Sequence, residues 1–293
     1  MLAPLPDVLA ELGGVATRAQ LVARGYDPYG LTRAVRAGVV LRLRRSRYAL
    51  ITTDTATRVA VSMGGLLGGV SAARSYGWWA GTDQRIHVSW PAHGNVAKPG
   101  RVLFGPRPDI VHHWRILRAS HQRASLTRES PEETLAQVLL SCDRDTAIAC
   151  ADSAIHLGTM REPEVRSVLR RMPSRVSAWG PFLDGRADSG LESIVRLWLV
   201  EQRLPFQVHA AVPGVGEVDF LVGRSLIIET DGSTFHDGPA EADRDGRRDT
   251  EAGARGYVTA RIRYRMVMDE PARWQQRILE HVLRGDHLRS VRS

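Results

Sequence analysis

Several acidic side chains lie close together near residue 220, at positions where strands are predicted to end. The run 216–232 predicts a β-hairpin: one strand carries Asp219, a Gly-Arg-Ser turn follows, and an apolar strand leads into Glu229 and Asp231, with His236 nearby. Crowded carboxylates cost free energy unless a positive charge lies among them. Because carboxylate oxygens suit Mg²⁺ or Mn²⁺, the pattern predicts a cation-dependent site for phosphodiester hydrolysis.

The elements around this hairpin predict the layer that positions it. Ser189 is expected to cap a helix through Leu199 that carries Glu192 near its start, beside an apolar stripe. The resulting order α-β-β-β-α-β-α indicates a mixed sheet with helices over it. The other predicted elements are strands at 206–210 and 257–262, a helix at 241–255 and a closing helix at 271–283.

This carboxy-terminal third resembles the PD-(D/E)XK nuclease superfamily, and more narrowly the bacterial domains grouped with very-short-patch-repair endonucleases. The motifs that carry the resemblance are Val218-Asp219-Phe220, Ile228-Glu229-Thr230-Asp231-Gly232, Phe235-His236, Asp243-Arg244-Asp245, Arg247-Arg248-Asp249 and Gly256-Tyr257, in that order. The resemblance implies a restriction-endonuclease-like fold and a DNA repair context.

The resemblance also implies roles for individual residues. Asp219, Glu229 and Glu192 would hold the cation, and His236 would protonate the leaving oxygen or activate water, because the pKa of histidine lies near neutrality. Arg244, Arg247 and Arg248 would hold the scissile strand. The expected catalytic set is therefore Glu192, Asp219, Glu229, Asp231, His236 and Arg248.

One departure from the superfamily leaves an alternative open. The usual lysine two positions after the second acid is Asp231 here, and an arginine such as Arg248 would not shuttle a proton in its place. Glu229 and Asp231 could simply pair with Arg247 or Arg248. Two functions follow: a Mg²⁺- or Mn²⁺-dependent DNA endonuclease, or a non-catalytic DNA-binding regulator that keeps a nuclease fold.

The amino-terminal segment to about residue 50 predicts a winged helix-turn-helix. Thr17 is a good N-cap, a second helix is expected from Asp27 to Ala37, and residues 39–50 predict a hairpin with a basic tip. The helix 29–36 would enter the major groove. The expected DNA-binding arginines are Arg33 and Arg36 on this helix, Arg42, Arg44, Arg45 and Arg47 in the wing, and Arg244 and Arg247 in the last domain.

Two stretches, 13–21 and 44–50, resemble the amino-terminal winged helix of abortive-infection antitoxins. The resemblance implies DNA binding and, for the regulator alternative, a toxin partner. A small helical bundle with a solvated arginine-rich loop is the competing interpretation.

The middle of the chain predicts strands and helices without an obvious site. His112 and His113 are adjacent on a predicted strand, so they should face opposite sides, one buried and one exposed, rather than chelate one ion. Residues 131–157 predict one amphipathic helix, on which Cys142 and Cys150 would lie roughly 12 Å apart, too far for a disulfide. The polar stretch 173–185 predicts a domain boundary.

Composition bounds the remaining expectations. The 293 residues include 43% hydrophobic and 25% charged residues, with a net charge of +8, as expected for a globular protein with a polyanionic partner. Lys98 is the only lysine. No signal peptide or membrane span is expected, because the amino terminus lacks a basic region and the longest uncharged run, 59–73, is too short.

Together these observations predict an α/β (α+β) protein with three domains: a winged helix-turn-helix at 1–52, a helical and β middle region at 53–178, and a restriction-endonuclease-like mixed sheet with flanking helices at 179–293. The expected location is the cytoplasm, and the expected partners are DNA, a second copy of the chain, and a toxin if the regulator alternative holds. RNA remains a weaker substrate alternative.

Overall fold

A computed structural model describes residues 3–94, 96, 108–117, 125–231 and 248–291 of the chain. The fold is mixed α/β, as the sequence predicts. The chain divides into two compact units, one formed by residues 1–143 and 159–178 and the other by residues 144–158 and 179–293. The further division of the first unit at residue 52 stays a prediction. Among the described helices, none has the length and apolar character needed to cross a membrane.

The first unit begins with three helices and a hairpin, as predicted for a winged helix, and a short strand that was not predicted completes a three-stranded sheet of order β1-β3-β2. Thr17 and Gln20 form a capping box at the start of α2, and the Asp27 side chain accepts a hydrogen bond from the Gly30 N–H at the start of α3. The elements are α1 (Leu5–Glu11), β1 (Val15–Thr17), α2 (Arg18–Ala23), α3 (Pro28–Arg36), β2 (Val40–Arg44) and β3 (Arg47–Leu50).

The rest of the first unit packs helices around a small sheet of order β4-β5-β6. His113 is buried, whereas His112 is half-buried and its Nδ1 accepts a hydrogen bond from the Trp90 Nε1–H at 3.1 Å, so the expected fully exposed histidine is not found. The elements are α4 (Thr55–Met63), β4 (Leu66–Leu67), α5 (Gly69–Ser75), β5 (Ile86–Trp90), β6 (Ile110–Trp114) and α6 (Pro131–Ser141). Later in the chain, α8 (Glu162–Arg170) and α9 (Ser174–Ser177) complete the unit.

The single helix predicted for 131–157 is wrong. Helix α6 ends at Ser141, Cys142 has an extended backbone (ψ 164°), and a separate helix α7 (Arg144–His156) follows. Serine, cysteine and aspartate at 141–143 favour helix poorly, and α7 belongs to the second unit. Cys142 and Cys150 therefore do not share one helix, and no disulfide joins them.

The second unit is a four-stranded sheet of order β10-β9-β8-β7 with helices packed on it. The strands β7, β8 and β9 are antiparallel, whereas β9 and β10 are parallel, so the sheet is mixed as predicted. The elements are α10 (Gly190–Glu201), β7 (Phe206–Val212), β8 (Gly216–Val222), β9 (Leu226–Asp231), a helical stretch at 248–254, β10 (Val258–Arg263), α11 (Tyr264–Asp269) and α12 (Pro271–Leu283).

Two kinds of contact join the helices of this unit to one another. Trp198 of α10 packs edge to face on Trp274 of α12, with ring centroids 4.9 Å apart. Between α7 and α10, the fully buried Asp152 accepts hydrogen bonds from Arg196 at 2.8 Å and from the Ser193 hydroxyl at 2.9 Å. Helix α10 is thereby fixed, and with it the position of Glu192.

Candidate functional site

The sheet of the second unit brings two of the predicted acids together. The β8–β9 ladder ends at the pair Phe220–Ile228, and just beyond it the Asp219 N–H donates to Glu229 Oε2 at 3.4 Å. In the next ladder the pairing is interrupted at His209, whose place is given by its contacts with Glu192 and Glu217. The acids Asp219 and Glu229 therefore adjoin at the end of the hairpin, and Glu192 has His209 beside it.

Asp219 and Glu229 form a crowded carboxylate pair. The Asp219 Oδ2 accepts hydrogen bonds from the Thr230 backbone N–H at 2.6 Å and from the Thr230 hydroxyl at 2.7 Å. Burial, and then the charge of Asp219, raise the pKa of Glu229 to about 7, although Arg248 opposes the shift. Glu229 therefore tends to hold a proton near neutrality, as expected of a carboxyl buried beside a second acid.

Glu192 lies buried at the first turn of α10. Its Oε2 accepts a hydrogen bond from the Asp188 N–H at 2.9 Å, and its own N–H is capped by the Ser189 hydroxyl. Burial raises the pKa of Glu192, the Asp188 and Ser189 hydrogen bonds lower it, and the charge of Asp219 adds to the increase. Asp219 is thus the acid that Glu192 and Glu229 both sense.

His209 is the residue of this site that the sequence reasoning missed. Its φ of +50° lies in the left-handed region, which is unusual for a histidine within a strand. The ring Nε2 lies 3.3 Å from Glu192 Oε2, and Nδ1 lies 3.4 Å from Glu217 Oε1 and 3.9 Å from Asp188 Oδ2. The sequence carries no signal for this position, because strand periodicity does not give the direction of a side chain whose backbone is left-handed.

The electrostatics of His209 follow from these neighbours. Burial lowers the pKa of the imidazole, but the hydrogen bond to Glu217 and the charges of Asp188 and Glu192 outweigh it, so the pKa is raised. Glu192 is within ion-pair distance of Nε2 but not aligned for a hydrogen bond. Nε2 is therefore a buried nitrogen without a hydrogen-bond partner in the described part of the chain.

The remaining predicted site residues have different surroundings. The Arg248 Nη2 lies 3.3 Å from Glu229 Oε1 and donates to the Glu217 carbonyl at 2.5 Å, so the expected pairing of Glu229 with an arginine is present. Asp231 ends β9 in register with Arg263 of β10. The predicted residues His236, Arg244 and Arg247, and the turn at Gly232, lie outside the described residues.

The donor set fits a hard divalent cation in chemical type but not as a complete cage. Carboxylates are the preferred ligands of Mg²⁺ and Mn²⁺, and Asp219 and Glu229 are two such groups in contact with each other. Within the described ranges, no three His, Cys, Asp or Glu side chains converge as a full ligand set. Such ions usually keep water or substrate oxygens as their other ligands.

A second candidate site lies in the winged helix. A cavity of about 250 Å³ opens between α3 and the wing and is lined by the exposed side chains of Arg18, Arg42 and Arg45, with Tyr29 of α3 beside them. Across the described residues, none of these three arginines has a carboxylate within ion-pair distance. Three uncompensated guanidinium groups beside a recognition-type helix can bind phosphate oxygens.

The four wing arginines do not share one surface. The strand has a register shift between Arg42 and Arg44. As a result, Arg42 and Arg45 line the cavity beside α3. Arg44 and Arg47 instead line a second cavity, which includes Gly64 and Gly65. The Arg44 guanidinium lies against Gly64, at a place that a Cβ would fill. Two further predicted arginines, Arg33 and Arg36, are exposed in the last turn of α3.

Comparison with known proteins supports the amino-terminal interpretation. A family profile described as "Transcriptional regulator, AbiEi antitoxin" matches residues 4–51, the segment that folds as the winged helix. The resemblance to antitoxin winged helices predicted for this segment is therefore confirmed. The match is limited to this short part of the chain.

Two relatives extend over most of the chain. The uncharacterized proteins MT2308 and Rv2248, from two strains of Mycobacterium tuberculosis, are each 28% identical over 269 residues, covering 86% of this chain and 95% of the relative. Among solved structures, the catalytic domain of the homing endonuclease I-Bth0305I is similar, with 23% identity over 34% of this chain and 97% of that chain. Its TM-score of 0.30 does not establish a shared fold.

Proposed function

We propose that the protein is a DNA-binding protein whose second unit hydrolyses phosphodiester bonds with the help of Mg²⁺ or Mn²⁺. The observation that carries the hydrolytic part is the close approach of Asp219 to Glu229, whose pKa is raised to about 7 by burial and then by the charge of Asp219. A divalent cation would relieve this repulsion. When bound, it would acidify a water molecule and stabilise charge on a phosphate oxygen.

The chain's own residues have distinct parts in this proposal. Asp219, Glu229 and Glu192 would hold the cation, with Thr230 orienting Asp219 through two hydrogen bonds to Oδ2. Arg248 would move from Glu229 to a phosphate of the scissile strand once the cation neutralises the acids. DNA would be held by the winged helix through Arg18, Arg42 and Arg45.

The test is nicking of plasmid, mismatched and single-stranded DNA by purified protein in Mn²⁺. Wild type is expected to cut, and Asp219→Ala and Glu229→Ala are expected to lose at least a hundredfold in rate. Glu251→Ala is the matched control, because Glu251 is an exposed acid that pairs only with Arg255 among the described residues. Cleavage that survives both site substitutions would refute the proposal.

A second candidate function is a non-catalytic regulator of the antitoxin kind. The specific observation that favours it is the ion pair between Arg248 and Glu229, which supplies a cation to the acids without any metal. It is supported further by the match of residues 4–51 to an antitoxin profile. A regulator would bind DNA with the same affinity with or without Mn²⁺, would cut none of the substrates, and would bind a toxin protein encoded nearby.

A further inference from the structure

We propose that His209 is a nitrogen ligand of the divalent cation, binding it through Nε2 beside the Glu192 carboxylate. The inference rests on the proposed cation-dependent function and adds a ligand that no sequence motif indicated. It depends on three observations made at His209: the environment of each ring nitrogen, the distance to Glu192, and the backbone conformation.

The two ring nitrogens of His209 have the environments typical of a metal-bound histidine. Metal-binding histidines usually donate the other ring N–H to a carboxylate, which fixes the tautomer and directs the free nitrogen at the ion. Here Nδ1 lies 3.4 Å from Glu217 Oε1, with Asp188 also near. Nε2 is buried and lacks a hydrogen-bond partner within the described residues. The nitrogen left over is the one that lies 3.3 Å from Glu192 Oε2.

The distance between Nε2 and Glu192 Oε2 suits two ligands of one ion. The two atoms are 3.3 Å apart and are not aligned for a hydrogen bond. Ligand atoms about 2.1 Å from a common metal are about 3 Å apart when the angle between them is near 90°. One imidazole and one carboxylate would leave the other positions for Asp219, Glu229, water or a DNA phosphate.

The backbone conformation of His209 is unusual for a strand and sets the direction in which its side chain leaves the sheet. Residues other than glycine held in the left-handed region are strained, and such strain concentrates at functional sites. The β7–β8 ladder is regular on both sides, at Val208–Phe220 and Ala210–Val218, and is interrupted only at His209. The irregular backbone is therefore confined to this one position of the ladder.

An imidazole ligand changes which ion the site prefers. Imidazole nitrogen suits transition metals, whereas Mg²⁺ binds oxygen almost exclusively. We therefore expect Mn²⁺ to bind the wild-type protein more tightly than Mg²⁺, and the preference to depend on His209.

The experiment measures Mn²⁺ binding to the full-length protein, with Mg²⁺ as competitor, and detects ligand nitrogen by the ¹⁴N modulation of the Mn²⁺ electron spin echo. The variants are His209→Asn and His209→Gly, because asparagine and glycine both tolerate the left-handed backbone. His156→Asn is the matched control, since His156 also lies near Asp188, with Nδ1 3.5 Å from Oδ1. His236→Asn tests the histidine expected from the family resemblance.

We expect ¹⁴N modulation in wild type and in His156→Asn, and its loss in both His209 variants. In the His209 variants the Mn²⁺ dissociation constant should rise at least tenfold, and the Mg²⁺ dissociation constant should change much less. Both His209 variants should keep a cooperative thermal transition, because the new residues suit the backbone. Modulation that persists in the His209 variants, or that disappears only in His236→Asn, would overturn the inference.

Failure of this inference is distinguishable from failure of the proposed function. If wild type binds Mn²⁺ and cuts DNA but gives no ¹⁴N modulation, His209 is not a ligand and the nuclease proposal is unaffected. If wild type neither binds Mn²⁺ nor cuts, both are overturned.

Discussion

The raised pKa of Glu229 predicts an unusual dependence of stability on pH. The pKa is about 7 in the folded protein against a usual 4.5. Between these values the folded state holds a proton that the unfolded state has lost, so the free energy of unfolding should fall as pH rises through the window from about 4.5 to 7. At about 1.36 kcal/mol per pKa unit, the wild type should lose roughly 3 kcal/mol relative to a variant without this carboxyl.

Glu229→Gln removes the titrating group while keeping the shape of the side chain. Urea unfolding of wild type and variant, compared at pH 4.5 and pH 8, should show the variant gaining roughly 3 kcal/mol on the wild type as pH rises. Asp219→Asn should shrink the difference in part, because burial is the largest cause of the raised pKa and the charge of Asp219 is the next. If wild type and Glu229→Gln follow parallel pH profiles, the carboxylates are not crowded and the reasoning is refuted.

Two other predictions concern DNA binding and the support of the site. Arg42→Ala and Arg45→Ala should each reduce the slope of log affinity against log salt by about 1. Arg44→Ala should leave the slope unchanged, because the guanidinium of Arg44 lies against Gly64. Filter binding at several salt concentrations measures these slopes. Arg196→Met should destabilise the second unit by about 3–5 kcal/mol in urea unfolding, because it leaves Asp152 buried without its cation; equal stability would contradict that role.

Much of the site could be predicted because it depends on local pattern. The alternation of apolar residues and the Gly-Arg-Ser turn at 223–225 predict the β8–β9 hairpin, and this brings Asp219 next to Glu229. The capping residues Thr17, Asp27 and Ser189 likewise mark the helix starts that the structure has.

Other features depend on geometry that a residue pattern does not contain. Arg42 and Arg44 are two residues apart and should share a face, but the bulge between them directs them to different cavities. The left-handed backbone of His209 similarly defeats strand periodicity. The contact of Asp152 on α7 with Arg196 of α10 is likewise a tertiary pairing that helical periodicity does not predict.

The most direct test of the central claim is anomalous diffraction from a crystal of the full chain soaked in Mn²⁺. A manganese peak about 2.1 Å from carboxylate oxygens of Asp219 and Glu229, with the Arg248 side chain displaced from Glu229, is the expected result. A crystal that shows no peak at these carboxylates, with Arg248 still paired with Glu229 at millimolar Mn²⁺, would contradict a cation-dependent nuclease site.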